Sequence, residues 1–457
     1  MQEVEKLLEQ AEEMVKNRSF KELKTLLCDL QPQDIAALLS DMDREPAAAL
    51  FRLLPKDQAA EVLVELDSDQ QAALIGAFTD KELAPILDEM FLDDMADLVE
   101  EMPAGLVKKI LKNTDPESRK TVNDLLKYPK DSAGTLMTPE FVDLKKNMTV
   151  RECFDRIRAT GPDKETVYTC YVTDEHRRIL GVVSVKDLLL ASQDKPVSEI
   201  METNVITVRT TDDKEEIAHD FDKYDFLALP VIDGEDRLVG IVTFDDAMDV
   251  LQEENTEDFE KMAAITPSEK GYFEVGVFTH AKNRILWLLV LMVSATLTGN
   301  ILTRYETAFA AIPVLVAMIP MLMDTGGNCG SQASTMVIRG LALGDMKPRD
   351  FFRVWFKEIR IALVVGAALA VINFGRVLLF YSGQDQVKPY LLAAITSLTL
   401  FLVVLVAKSL GTALPMLAKR VGLDPAIMAS PLITTVVDAC SVLLFFSIAC
   451  AVLGLTI

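Results

Sequence analysis

Residues 323–335 read MDTGGNCGSQAST, inside a stretch, 307–338, whose only charge is Asp324. Glycines let helices approach closely, and an interrupted, polar backbone at membrane depth is tolerated only where it is buried in protein or lines a wet cavity. Two readings follow for this segment: the lining of a pore, or close helix packing alone. Because Pro313 and Pro320 precede it, the sequence predicts a broken second membrane span.

On either side the chain remains apolar. Residues 285–303 carry no charge, 361–380 only Arg376, 389–407 none, and 425–457 only Asp438. At about 20 residues per crossing these stretches predict five transmembrane helices. Bases including Lys282, Arg284, Arg339, Arg353, Lys357 and Lys419 fall on the side shared with the front half, against Arg304, Arg376 and Lys388 on the other. The positive-inside rule then makes the front half cytoplasmic and, after five crossings, puts the C-terminus outside. The expected location is the plasma membrane, as a multi-pass protein in contact with the lipid bilayer. MQEVEKLLEQAEEM at the start lacks a basic n-region and an apolar core, so no cleaved signal peptide is expected.

In the last predicted span Pro431 interrupts the apolar run, and Asp438 follows with apolar residues on both sides. A carboxylate there costs several kcal/mol unless it meets a cation, a proton, water or a base. The alternative to an ion site is a salt bridge to Arg376 or Lys408. Magnesium suits a sparse carboxylate site, because it retains several waters and is bound through one or two acids.

The 457 residues suggest about three domains. Charge divides them sharply: residues 1–270 hold 60 Asp and Glu against 32 Lys and Arg, and the remainder holds 9 against 14. An acidic front half repels nucleic acid and anionic lipid and favours cations, so no nucleic-acid partner is expected. The six cysteines form no CxxC pair and the three histidines are scattered. That excludes a zinc cluster and points to oxygen ligands and a hard divalent cation. No nucleophile–base pair or phosphate-cradling glycine loop is visible, so an enzyme is not expected.

Between residues 34 and 110 a unit recurs from Asp34, Glu45, Asp57, Asp69, Lys81, Asp93 and Pro103: a polar or proline opening followed by a short Ala and Leu run. Each reads as a capped helix of about two turns, stable only when stacked. Residues 137–252 instead repeat an α/β pattern. LGVVSVKDLL from Leu180 is echoed by VGIVTFDDAM from Val239, and Met137-Thr138-Pro139 with Val142–Leu144 by Met201-Glu202-Thr203 with Val205–Thr207. The pair resembles tandem CBS (cystathionine β-synthase) domains. The Ser184/Asp187 and Thr243/Asp246 elements either hold the ribose of ATP or another adenine nucleotide, as that resemblance implies, or cap the following helix. Residues 251–284 then read as an acidic helix joined directly to the first apolar span.

Taken together, these parts resemble the MgtE family of magnesium channels. The expected architecture is a multi-domain membrane protein. It comprises an all-α superhelix of short helices (1–130), α/β CBS domains (131–195 and 196–252), a connecting or plug helix (253–282) and a five-helix transmembrane domain (283–457). The resemblance implies a homodimeric, magnesium-gated channel importing Mg2+, with Mg2+ as both cargo and regulator. It places Asp438, Thr434, Ser430, Gly326, Gly327, Asn328 and Gly330 in the ion path. Some family members have Asn where this chain has Ser331 and Ser430. The regulatory ligands it implies are Glu61, Asp93, Asp97, Glu215, Asp225, Asp246, Asp249, Glu254, Glu257 and Asp258, with Glu61 a neighbour of Asp93 and Asp97. The alternatives are a coupled secondary transporter of Mg2+, Mn2+ or Co2+, and a membrane-anchored metal or nucleotide sensor without transport.

Overall fold

The computed structural model describes residues 14, 17, 19–268, 271–273, 275–306, 312–383, 387–428 and 430–454. The N-terminal stretch discussed above and the extreme C-terminus lie outside these residues, apart from Met14. The chain divides into two units, Met1–Leu251 and Gln252–Ile457.

Among the described residues the first unit opens with nine short helices: α1 (Phe20–Cys28), α2 (Pro32–Ser40), α3 (Arg44–Phe51), α4 (Lys56–Val64), α5 (Ser68–Ala77), α6 (Asp80–Leu87), α7 (Leu92–Glu101), α8 (Ala104–Asn113) and α9 (Pro116–Leu125). Each recurring opening starts one of them. Asp67 caps α5 through the Gln70 N–H, and Thr79 with Glu82 forms a capping box on α6. Helices of this length cannot stand alone. Packing runs to the helix two places along, α2 on α4, α4 on α6, α6 on α8 and α3 on α5, so the small apolar faces join into one superhelical core.

That core continues without a break into the second α/β repeat, taking in Ile217, Phe221, Leu229, Val231 and Ala247. A one-turn helix, α10 (Ala133–Leu136), leads into the first repeat: β1 (Asp143–Lys145), α11 (Val150–Thr160), β2 (Thr169–Thr173), β3 (Ile179–Ser184) and α12 (Val185–Leu190). The second repeat comprises β4 (Val208–Arg209), α13 (Lys214–Tyr224), β5 (Ala228–Ile232), β6 (Leu238–Thr243) and the start of α14 (Phe244–Met262). Each forms a three-stranded sheet, parallel then antiparallel, and the duplication reproduces the same irregularity. Val172 pairs with Gly181 and Val231 with Gly240, each followed by a register shift. The leading strands align differently from expectation: Leu144 corresponds to Val208, because Leu144 pairs Val172 and Val208 pairs Val231. Val205–Thr207 precede the strand.

The repeats exchange their leading arms. Thr138 of the first pairs with Ile241 on β6, by N–H···O bonds of 2.8 and 2.9 Å, and Glu202 of the second pairs with Val182 on β3, at 2.9 and 2.8 Å. Gly181 and Gly240 permit this approach, since a Cβ at either would press on the Glu202 or Thr138 carbonyl.

Among the described residues the second unit contains the C-terminal part of α14 and five long helices: α15 (Val277–Arg304), α16 (Ile319–Ala342), α17 (Phe351–Phe380), α18 (Pro389–Arg420) and α19 (Ser430–Leu453). The helix expected over 253–282 is observed as the end of α14, which stops at Met262. Pro267 cannot continue a helix, and Ala264 already has φ 57°. Among the described residues four helices are long and apolar enough to cross a membrane, namely α15, α17, α18 and α19. The 24-residue α16 falls outside that set because of its polar middle.

Two expected interruptions lie elsewhere. The glycine-rich segment of α16 is regular helix; irregularity precedes it, in a 3₁₀ turn at Pro313–Met318. Pro431 does not interrupt α19 but stands in its first turn, where a missing N–H costs nothing. The membrane-type core is built by α16, α18 and α19, with Leu322, Leu400, Val442, Phe445 and Phe446 fully buried, while α15 is exposed along most of its length.

Candidate functional site

Helix α7 begins after Phe91, a residue that cannot cap it. The missing acceptor comes from 48 residues downstream: the Leu92 N–H donates to Glu140 Oε2 at 2.9 Å. The Glu140 carbonyl in turn accepts the Glu165 N–H at 2.9 Å. The first two turns of α7 add Asp93, Asp94 and Asp97, and the first turn of α14 adds Asp245 and Asp246. Seven carboxylates from four segments thus converge within the first unit.

Their electrostatics follow from burial and mutual repulsion. Burial, then the Glu140 charge, pushes Asp93 up to about 6. Burial with Asp93 and Asp246 pushes Asp94 to about 8 and Asp97 to about 7. Asp246 rises to about 7 and Glu165 to about 8, again by burial first and by Asp93 and Asp245 after it. Asp93 Oδ1 is buried without a hydrogen-bond partner. Such an arrangement takes up protons or cations, and the orphaned oxygen with its repelling neighbours fits a hard divalent cation. Among the described residues no three His, Cys, Asp or Glu side chains form a closed ligand set as they stand.

Of the residues expected in the sensor, the structure therefore brings together Asp93, Asp97 and Asp246. Asp94, Glu140, Glu165 and Asp245 join them unforeseen. Glu61 is exposed on α4, in a groove lined by Cys28, Gln31, Asp57 and Gln58. The charges acting most strongly on Asp93, Asp94 and Asp97 come from Glu140, Asp246, Asp245, Glu100, Glu101 and one another. Glu215 lies 3.9 Å from His219. Asp225 ends α13 in the left-handed region at φ 55°. Asp249, Glu254 and Asp258 follow Asp246 along α14. Glu257 is paired with Lys261, which also bonds Asp424 at 2.6 Å.

For the nucleotide elements, Ser184 and Asp187 form a reciprocal capping box, with the Asp187 N–H donating to Ser184 Oγ at 3.1 Å. Thr243 donates both its N–H and its hydroxyl to Asp246. Capping therefore occupies all four side chains.

In the second unit the two readings of residues 323–335 divide between residues. Gly326, Gly327 and Gly330 are buried, and a Cβ at these positions would press on Val403, Thr434, Val437 or Ile433. A Cβ on Gly411 of α18 would fall on the Gly330 carbonyl. The glycines pack helices; Asn328 is exposed. Ser331 and Ser430 hydroxyls bond each other at 2.8 Å, and Ser334 Oγ donates to the Met428 carbonyl at 3.0 Å. Thr434 Oγ1 donates to the Pro431 carbonyl at 2.9 Å.

Neither candidate base pairs with Asp438. Lys408, 5 % exposed, bonds Glu358 at 3.2 Å, and Arg376 donates to Asn373 Oδ1 at 2.9 and 3.2 Å. At the foot of this unit Met262 of α14 packs with Ile338 and Ala426, beside the Lys261–Asp424 pair.

Comparison with known proteins gives a consistent picture. Residues 319–448 match the family described as MgtE, divalent cation transporter; residues 30–131 match the MgtE intracellular N domain, and 133–194 and 197–253 match CBS domains. The chain is 39% identical over 362 residues to the magnesium transporter MgtE of Thermus thermophilus, covering 78% of this chain and 79% of that one. It is 33% identical over 364 residues to the Bacillus subtilis protein of the same name, covering 80% and 79%. Among solved structures, the cytosolic domain of the Mg2+ channel MgtE in complex with ATP superposes with a TM-score of 0.51 at 40% identity, covering 53% of this chain and 99% of that one. The soluble part of a magnesium transporter does so with 0.52 at 30%, covering 55% and 99%. With its cation-transporter segment, N domain and CBS pair matched in order, the chain belongs to the MgtE family of magnesium transporters.

Proposed function

We propose that this chain is a homodimeric channel importing Mg2+ into the cell, closed by feedback from cytoplasmic Mg2+. The single observation that carries the path is the state of Asp438: an acid on a membrane-type helix whose candidate bases, Lys408 and Arg376, are both committed elsewhere. An acid so placed calls for a cation. In this reading α16 is the fifth crossing, residues 1–252 are cytoplasmic and the C-terminus is outside. The functional divisions fall at 130, 195, 252 and 282, as the sequence suggests. Thr434, Ser430 and Asn328 line the path, and Gly326, Gly327 and Gly330 hold α16 close enough to α18 and α19 to keep it narrow.

Feedback rests on the acidic cluster. Asp93, Asp94, Asp97, Asp246 and Glu165 would hold the regulatory cation, with Asp249, Glu254, Asp258, Glu215 and Asp225 as further ligands. Bound there, Mg2+ supplies the positive charge that offsets their repulsion. Helix α14 carries Asp245 and Asp246 at one end and Lys261 and Met262 at the other. Drawing its first turn toward α7 therefore displaces the end that is pinned to Asp424 and packed on Ile338 and Ala426. A relative binds ATP, so an adenine nucleotide at Ser184/Asp187 or Thr243/Asp246 belongs to the same proposal, at the expense of the capping bonds.

The test is Mg2+ flux into proteoliposomes holding the full chain, with internal Mg2+ varied. Uptake is expected to fall as internal Mg2+ rises, and Asp438→Ala to abolish it. Normal transport by Asp438→Ala overturns the path; unitary currents in a bilayer separate a channel from a coupled transporter.

A further inference from the structure

Helices α16 and α19 are locked antiparallel by contacts that fix their register. Gly326 packs on Val437 and Ser441, Gly327 on Thr434 and Gly330 on Ile433. Further along, Ser331 bonds Ser430 and Ser334 reaches the Met428 carbonyl. As one helix advances the other recedes by as many residues.

The Ser331–Ser430 bond shows which faces meet. One turn from it, back along α16 and forward along α19, stand Asn328 and Thr434. Two turns from it, seven residues back and eight residues forward, stand Asp324 and Asp438. Each step is about 5.4 Å on both helices, so the residues form a polar ladder of three rungs: Ser331 with Ser430, Asn328 with Thr434, Asp324 with Asp438.

Exposure points the same way. Asp324, Asn328, Gln332 and Thr335 recur at helical spacing on the one side of α16 left uncovered, while Leu322, Gly326, Cys329, Gly330 and Ala333 are buried. A carboxylate on a membrane-type helix does not face lipid without large cost. The charged neighbour that Asp438 feels is Asp324.

We propose that Asp324 is a second acid of the ion path, level with Asp438, so that each subunit offers a hydrated divalent cation two carboxylates from two helices. The proposal rests on the reading of Asp438 as the path acid and deepens it: Asp324 is a specificity residue that sets preference for divalent over monovalent cations. With Asp324 the path carries twice the negative charge that Asp438 alone supplies, and a denser set of carboxylates favours a divalent over a monovalent ion.

The experiment is Mg2+ uptake by the reconstituted full chain as a function of external Mg2+, with Na+ as competitor. Asp324→Asn is expected to raise half-saturating Mg2+ by about tenfold and to let Na+ compete, whereas Asp324→Glu stays within about threefold of wild type. The exchange variant Asp324→Asn with Asn328→Asp keeps the charge on the same face but moves it one rung. It is expected to behave like Asp324→Asn, and it serves as the test should the single variant fail to fold. Half-saturation within about twofold of wild type in either variant, with Na+ still excluded, overturns the proposal. If that occurs while Asp438→Asn remains inactive, the Asp438 reading stands; if Asp438→Asn transports normally, that reading is what falls.

Discussion

The N-terminal unit and the long-helix unit that follows it handle charge in opposite ways. Around α7 carboxylates crowd together, and their largest electrostatic neighbours are one another. Among α16 to α19 the opposite holds: Lys408 is matched to Glu358, Arg376 to Asn373, and neither base is spent on Asp438 of α19 or Asp324 of α16. In the function proposed above, repulsion in the first region and deficit in the second answer to one ion, so that the same chemistry would serve as gauge in one place and as passage in the other.

The most severe way to break this comparison is at the passage. Asp438→Ala should reduce Mg2+ flux about a hundredfold or more, since the proposed path loses the acid that α19 gives it. Next comes the matched pair. Lys408→Met leaves Glu358 buried and unpaired and should cost about 3 kcal/mol, seen as a lowered unfolding temperature in detergent; adding Glu358→Gln should restore most of it. If the single variant is as stable as wild type, the pairing does not hold this unit.

The crowded region should respond in the opposite sense. Asp93→Asn, Asp94→Asn and Asp97→Asn together should stabilise the Mg2+-free chain by about 2 kcal/mol near pH 8 and erase the stabilisation that Mg2+ gives wild type. Equal Mg2+-induced shifts in the unfolding temperature of variant and wild type would show that the regulatory cation binds elsewhere.

A pH titration sharpens the same point. Folded values of about 6 for Asp93, 7 for Asp97 and Asp246, and 8 for Asp94 and Glu165 lie above the unfolded range. The folded state therefore binds more protons than the unfolded one, and the cluster is harmless below about pH 4 but increasingly destabilising as pH rises from about 4 to 8, above which the loss levels off. Full-chain stability without Mg2+ should decline over that window; with Mg2+ the decline should flatten, and binding at pH 6 should release protons measurable by calorimetry in two buffers. The smallest effect expected is from Glu61→Gln, within about 0.5 kcal/mol in stability and without change in Mg2+ response.

How much of this was legible in the sequence depends on the range of the interaction. The short helices, the duplicated sheets and the apolar spans are written in local periodicity, and the offset from Gly181 to Gly240 carries down to the paired register shifts. The acidic cluster was half visible. Asp93 and Asp97 share a helix face, but Glu140 and Glu165 reach α7 from other segments, and only the unsuitable Phe91 at its start hinted that a distant acid must serve it. The polar stretch of α16 misled in one respect. Its glycines suggested a broken backbone, yet they are what a regular helix needs to lie against Thr434 and the Gly330–Gly411 contact. Helix ends near Pro267 and Pro431 were misjudged because proline signals a boundary without telling which side of it is helical.

The crossed arms of the two α/β repeats, Thr138 on β6 and Glu202 on β3, bear on how such a protein could arise and be dissected. A duplicated gene segment whose products trade strands can no longer be halved. Cutting between residues 195 and 196 would leave each fragment with an unclaimed edge and a loose arm that fits the other fragment, so the pieces should recapture one another, or a second copy of themselves, rather than persist alone.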